Sequence, residues 1–291
     1  MSWMKSFFGK SSNIAQKVKG NKFVPSLGGQ LEDRKLLATV TASAGSYTVI
    51  VSTITNPKNM FDGNIVATLK IGSKTIKSNI PVANSDSKYE DKPCVAINAS
   101  GQFVVAYTTR SGITDTKEDI ELKVFNNKGL ATYTDNKAAN SPNVETVPLV
   151  GINSKGSAIL AYLFRNDKGE GANAVQYKYT TSGIFSSYTK KNVTITDPRS
   201  PGVTPTSVGI TPSGQWAVVY TEYYLPGSGV SAYVFKPSTS TGKTYSVSDY
   251  IVSGKYEYAK NGVISNFIDT LLTVKYYSAL SSSVKYKFLY L

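Results

Sequence analysis

The alternation of apolar and polar positions along this chain recurs with a period of about fifty-six residues, which marks a propeller or a stacked array of like units. Three copies are clearest: Val95-Ala96-Ile97-Asn98-Ala99-Ser100-Gly101, Val150-Gly151-Ile152-Asn153-Ser154-Lys155-Gly156 and Val208-Gly209-Ile210-Thr211-Pro212-Ser213-Gly214. Each glycine is followed by an apolar run closing on tyrosine, from Phe103 to Tyr107, Ala158 to Tyr162 and Trp216 to Tyr220. The glycines stand 55 and 58 residues apart. The same step backward lands on Gly45, ahead of Tyr47-Thr48-Val49-Ile50-Val51. The step forward lands on Asp269, ahead of Leu271-Leu272-Thr273-Val274. One such unit cannot bury its apolar face alone, so the copies must stack.

Turn chemistry divides each unit into four strands. A first strand, Val95–Ile97 in the best copy, runs into a turn closed by glycine, where positive φ is tolerated. The second strand, Phe103–Thr108, is almost wholly apolar and should be buried on both faces. A polar loop of variable length follows: Arg110–Asp119, Phe164–Ala172 or Glu222–Gly229. A third, alternating strand ends at a second glycine series, Gly72, Gly129, Gly183 and Gly242, spaced 57, 54 and 59 residues. A more polar fourth strand leads outward: Thr75–Val82, Ala131–Thr134, Ser186–Ile195 and Thr244–Val252. The fifth copy, Gly262–Ile268, Leu271–Tyr277 and Val284–Tyr290, has no fourth strand, and Lys22–Leu27 is the candidate to supply one. The pattern predicts an all-β domain over 36–291, a five-bladed β-propeller with about four antiparallel strands per blade. The second strands, centred on Val49, Val105, Leu160, Val218 and Thr273, should be its most buried elements.

Residues 1–35 carry a different pattern. Trp3, Met4, Phe7, Phe8, Ile14 and Val18 fall near one helical face among Lys5, Lys10, Lys17 and Lys19. The segment reads as a surface-seeking amphipathic helix, able to contact a membrane surface, or as a targeting segment. Gly20, Pro25, Gly28 and Gly29 then form a linker. The next residues are Leu31-Glu32-Asp33-Arg34-Lys35-Leu36-Leu37-Ala38. This stretch resembles the LEPR-XLL motif near the N-terminus of exported planctomycete proteins, with Leu31, Glu32, Arg34, Leu36 and Leu37 on its positions and Asp33 in place of proline. The resemblance implies sorting or export to the cell surface or envelope. A second resemblance, carried by Pro93 to Tyr107 and Ile120 to Gly129, is to propeller-type repeats of large bacterial exported proteins.

Composition narrows the chemistry. The chain has 291 residues, 41% hydrophobic and 18% charged, with 20 tyrosines, enough for a sizeable core. There is no histidine and only one cysteine, Cys94. Ser-His-Asp and Cys-His nucleophile systems therefore lose their base, and zinc clusters lose their ligands. Cys94, between Pro93 and Val95, reads as a small buried hydrophobe. A net charge of +13 favours anionic partners.

The surviving enzyme class is a glycosidase built on paired carboxylates, with Asp115, Glu118, Asp119, Glu145, Asp167, Glu170, Glu222 and Asp249 as candidates. They lie mostly in loops, and none is expected to recur on the inner strand. The acidic runs Asp115–Asp119 and Asp86–Asp91 are too sparse to predict a calcium site over solvated loop charge. Tyr177-Lys178-Tyr179, Tyr188-Thr189-Lys190-Lys191 and Lys285-Tyr286-Lys287 read as strand edges guarded by lysine rather than as base-stacking platforms, so nucleic acid is not expected as a partner. The leading expectation is an exported, non-enzymatic protein that binds a protein or an anionic polysaccharide through loops on one propeller face, without a cofactor or metal. Its catalytic residues would then be none, and its defining positions the turn glycines Gly45, Gly101, Gly156 and Gly214. The alternative is a carboxylate-pair glycoside hydrolase on the same fold.

Overall fold

The computed structural model describes residues 36–56, 59–85, 87–112, 115–182, 185–199, 202–223, 227–237, 241–248, 251–252, 255–256, 260–279 and 281–291. The compact unit Arg34–Leu291 is built of antiparallel strands, with no helix among the described residues. Four sheets have four strands each, in chain order. They are β1–β4 (Leu36–Ala44, Tyr47–Asn56, Asn59–Ile71, Lys74–Ala83) and β5–β8 (Tyr89–Ile97, Phe103–Arg110, Asp119–Phe125, Ala131–Ala139). Then come β9–β12 (Val144–Ile152, Ala158–Asn166, Gly169–Ser182, Phe185–Arg199) and β13–β16 (Val203–Ile210, Trp216–Tyr223, Ser228–Phe235, Lys243–Ser248). A two-stranded ribbon, β17–β18 (Ile251–Val252, Lys255–Tyr256), precedes a fifth sheet of three strands, β19–β21 (Lys260–Ile268, Leu271–Ser278, Ser283–Tyr290). This is a propeller-type arrangement of five blade-like sheets. The segment expected as one fourth strand, Thr244–Val252, is divided: β16 ends at Ser248, and Ile251–Val252 pairs with Lys255–Tyr256 in the ribbon instead.

The second strands show why their sequences lack polar residues. Successive side chains of a strand point to opposite faces, and here both faces meet another sheet. Phe103, Val105 and Tyr107 pack back onto Val49, Val51 and Ile65 of the first sheet. Val104 and Ala106 pack forward against Leu160, Tyr162 and Phe164 of the third. Ile159 and Ala161 then meet Trp216, Val218 and Tyr220, and Ala217 and Val219 meet Leu272, Val274 and Leu289. Val49, Val105, Leu160 and Val218 have no exposed surface, and Thr273 keeps 5%. Among the described residues no apolar cluster joins the fifth sheet to the first. The first sheet's outer face pairs hydroxyls across strands, Ser43 with Thr48 at 2.9 Å, whereas Tyr286, Phe288 and Tyr290 of the fifth sheet lie exposed.

The repeat turns share one construction. In the second, third and fourth sheets the N–H of Asn98, Asn153 or Thr211 donates to the carbonyl four residues on, and the turn glycine donates back at 2.9–3.0 Å. Gly45, Gly101, Gly156 and Gly214 all have φ between 58° and 90°. At Gly101 a Cβ would also come within 2.6 Å of the Tyr47 ring, so two constraints select glycine there. The turns also tie the sheets together. Asn98 Nδ2 donates to the Asn153 carbonyl and Asn153 Nδ2 to the Thr211 carbonyl, both at 2.9 Å. Ser213 then donates to Asp269 at 2.5 Å.

Several sequence readings change. Phe164–Ala172 is not a loop: β10 and β11 stay paired up to Asn166 and Gly169, leaving a two-residue turn. Tyr177–Tyr179 is not a strand edge, because β11 lies between β10 and β12. Lys285–Lys287 does lie on an edge strand. Cys94 is half-buried against the core between the second and third sheets, and desolvation pushes its thiol up to about 12. Leu36 and Leu37 open β1, while the leader, Leu31, Glu32, Arg34 and the Lys22–Leu27 strand candidate lie outside the described residues.

Candidate active site

Two of the candidate carboxylates, Glu145 and Asp119, come close enough where the second and third sheets pack for the charge of one to act on the other. Glu145 follows the first residue of β9 and pairs across the sheet with Phe164 of β10. That register turns its side chain toward the inter-sheet core, and it keeps 2% exposure. The Ser141 N–H, at 3.1 Å, and the Ser141 hydroxyl both donate to Oε1. Oε2 is buried and has no hydrogen-bond partner among the described residues. Asp119 opens β7, with 28% of its side chain exposed and Lys117 Nζ at 3.8 Å. A backbone bond from the Glu145 N–H to the Glu118 carbonyl, 2.8 Å, holds β9 against the chain entering β7.

This environment holds the Glu145 carboxyl above the usual range. Burial is the main cause, the Ser141 bonds oppose it, and the Asp119 charge adds to it. Tyr162, at the end of the apolar run, is pushed up by its own burial and also feels Glu145 while bonding Asn173. A buried carboxyl with a raised pKa near a more exposed acid is an arrangement that general acid–base chemistry uses.

Local backbone geometry aims these groups. Val147, two residues past Glu145, has φ 51°, and the β9–β10 register slips between Ala161 and Leu163. A β-branched residue in this region is strained by about 1–3 kcal/mol. The same feature recurs one repeat earlier at Lys92, φ 49°, beside a register slip in β5–β6. Bulges of this kind re-aim side chains next to functional sites. Lys92 Nζ thereby reaches both Glu118 oxygens, at 2.7 and 2.8 Å, and Thr146 Oγ1 at 3.0 Å.

The inner strands do carry a recurring carboxylate, contrary to the sequence expectation. Glu90 and Glu145 stand 55 residues apart, each three residues before a proline, and each is 2% exposed. Each accepts a backbone N–H from a serine upstream, Ser85 at 3.0 Å in the second sheet. Tyr107 donates to Glu121 at 2.9 Å, and Lys88 pairs with Glu121 at 2.5 Å. At the matching place the third sheet has neutral Asn173. The signal was present as the shared Glu-x-x-Pro spacing.

The other candidates are engaged elsewhere. Asp115 is half-buried and caps its own loop, held below the usual range mainly by Ser111 and then by the Lys117 N–H. Glu170 pairs with Arg165, Glu222 accepts from Ser231 at 2.9 Å, and Asp167 is exposed in its turn. Asp249 lies outside the described residues. The described residues contain no group of three or more His, Cys, Asp or Glu placed to hold a metal. They contain no helix long and apolar enough to cross a membrane.

No protein-family model matches this chain, and no curated protein matches it by sequence. Solved structures do match by shape. An ulvan lyase of polysaccharide lyase family 25 aligns with a TM-score of 0.50 and 12% identity, over 83% of this chain and 62% of the lyase. The chain therefore spans less than two thirds of that enzyme's length. A protein of unknown function from Dyadobacter fermentans aligns with a TM-score of 0.51 and 10% identity, over 89% of this chain and 80% of its own. An α-L-arabinofuranosidase from Podospora anserina aligns with a TM-score of 0.43 and 10% identity, over 91% and 93%. At these identities the likeness is one of fold.

Proposed function

We propose that this protein is a carboxylate-pair enzyme that cleaves glycosidic bonds in a polysaccharide, with Glu145 as proton donor and Asp119 as the second carboxyl group of the pair. The observation that carries the reading is Glu145 itself: a buried carboxyl, 2% exposed, whose pKa burial holds above its usual range, with a partly exposed aspartate near enough for its charge to add to that shift. A protonated acid can donate to the leaving oxygen while the ionised partner activates water or stabilises the developing positive charge. Of the two expectations drawn from the sequence, the shared fold with an ulvan lyase sides with the glycan-processing one over non-enzymatic binding. In this reading the five sheets are the five blades of the expected ring.

The test is the release of new reducing ends from a panel of neutral and acidic polysaccharides. Glu145→Gln and Asp119→Asn should each lower turnover by about 10²–10⁴-fold. Cleavage that survives both substitutions at the wild-type rate, or no cleavage of any polysaccharide, overturns the reading.

Export to the envelope is proposed separately, on the LEPR-XLL resemblance. Deleting residues 1–37 should keep the protein in the cytoplasm, and unchanged localisation would remove that proposal.

A further inference from the structure

A cleft lies at the other end of the third sheet, roughly 25 Å along β9 from Glu145. It is a cleft of about 330 Å³ between the third and fourth sheets, a size in the range of small-ligand sites. Three lysines line it from three separate places: Lys155 in the β9–β10 turn, Lys178 on β11 and Lys191 on β12. The strand register brings them together. Lys191 stands directly opposite Gln176, and Lys178, two residues on from Gln176, shares that face of the sheet. Lys191 Nζ rests 4.5 Å over the Phe235 ring, which fixes its position.

The lining contains no carboxylate. Asp269, outside the lining, accepts from Ser213 and is held below the usual range first by Ser213, then Thr211, with a smaller effect from Lys155. Three lysines lining one cleft with apolar walls raise the local potential and attract an entering anion. Tyr179, Pro212 and Pro237 supply flat apolar surface, and Gln176 and Ser213 supply hydroxyl-binding groups.

From this arrangement we infer that the cleft binds an anionic sugar unit, a sulfate ester or uronate, of an acidic polysaccharide. Compact lysine charges around an enclosed space with ring-sized apolar walls suit a charged sugar. A nucleic-acid backbone would be better matched by the planar guanidinium forks of arginine, and none lines the cleft. The inference rests on the proposed function only for the choice of polysaccharide as ligand; the site itself is separate from Glu145 and Asp119.

The experiment uses the full chain carrying Glu145→Gln, so that the ligand is not consumed, titrated with a heparin oligosaccharide, an oligogalacturonate and a neutral cello-oligosaccharide. At least one acidic oligosaccharide should bind, more weakly as salt rises, and the neutral one should not. Adding Lys155→Gln, Lys178→Gln and Lys191→Gln should weaken acidic binding by about tenfold or more. All three lysines are exposed, and an unchanged melting temperature would show that the fold survives. Failure of both acidic oligosaccharides to bind overturns the inference. So does unchanged affinity in the lysine variant, equal binding of the neutral sugar, or equal binding of a single-stranded oligonucleotide. Binding with no hydrolysis by wild-type protein would remove the proposed reaction and leave the cleft. Hydrolysis with no lysine-dependent binding would do the reverse.

Discussion

The third sheet presents opposite chemistry at its two ends. At one end Glu145 is folded into the inter-sheet core, 2% exposed, and its carboxyl is tuned by burial and by Asp119. At the other end Lys155, Lys178 and Lys191 stand exposed around an open cleft. Burial makes the difference. In the low-dielectric interior the charged form of a carboxyl is disfavoured and its pKa rises, whereas exposed lysine side chains at the surface offer solvated donors to an anion. The same β-scaffold thus separates a place suited to proton transfer from a place suited to holding a charged chain.

Charge reversal should show this contrast most strongly. Glu145→Lys places an unpaired cation in the core and should cost about 3–5 kcal/mol of stability. Lys178→Glu at the exposed end should change stability by less than about 0.5 kcal/mol. Urea denaturation of the two variants gives both numbers, and similar losses in both would erase the distinction.

A smaller effect is expected at the joint beneath the cleft. Asn153 accepts the N–H groups of Lys155 and Ser157 at 3.0 Å and reaches across to Thr211. Asn153→Ala leaves these groups short of partners in a buried site and should cost about 1–3 kcal/mol. The cleft affinity should fall with it, because the turn carrying Lys155 is no longer fixed to the fourth sheet. Calorimetric melting checks the first part and oligosaccharide titration the second.

The smallest effect is the pH dependence of stability. The folded Glu145 pKa lies above its ordinary 4.5, so the native state holds this proton more tightly than the unfolded chain does. Stability from this group is therefore full below about 4.5 and declines as pH rises from there through the folded pKa. Glu145→Gln should flatten that part of the profile. A wild-type curve that gains stability through this window because of Glu145 would contradict the assignment.

Much of the fold was legible because a packing rule repeats in the sequence. Second strands buried on both faces must be apolar throughout, and turns with positive φ select glycine, so Phe103–Tyr107 and Gly101 announce themselves in every clear copy. The site was less legible. Asp119 and Glu145 were both among the candidates, but what brings them together is a backbone bond between sheets that no local window shows. Glu90 and Glu145 do share a visible spacing before proline, obscured by reading carboxylates as loop charge. The cleft lysines come from a turn and two strands at unrelated repeat positions, and only the β11–β12 register places them on one face. Lys178 and Lys191 had been assigned to edge protection, which fails for Lys178 because β11 is an interior strand.

The most direct test of the acid–base pair needs no substrate. Carboxyl-carbon NMR can follow the titration of Glu145 in the wild-type chain and in Asp119→Asn. The wild-type midpoint should lie above 4.5, and removal of the Asp119 charge should lower it while burial keeps it above that value. A wild-type midpoint at or below 4.5, or one that does not move when Asp119 is neutralised, would contradict the assignment of Glu145 as the proton-holding acid.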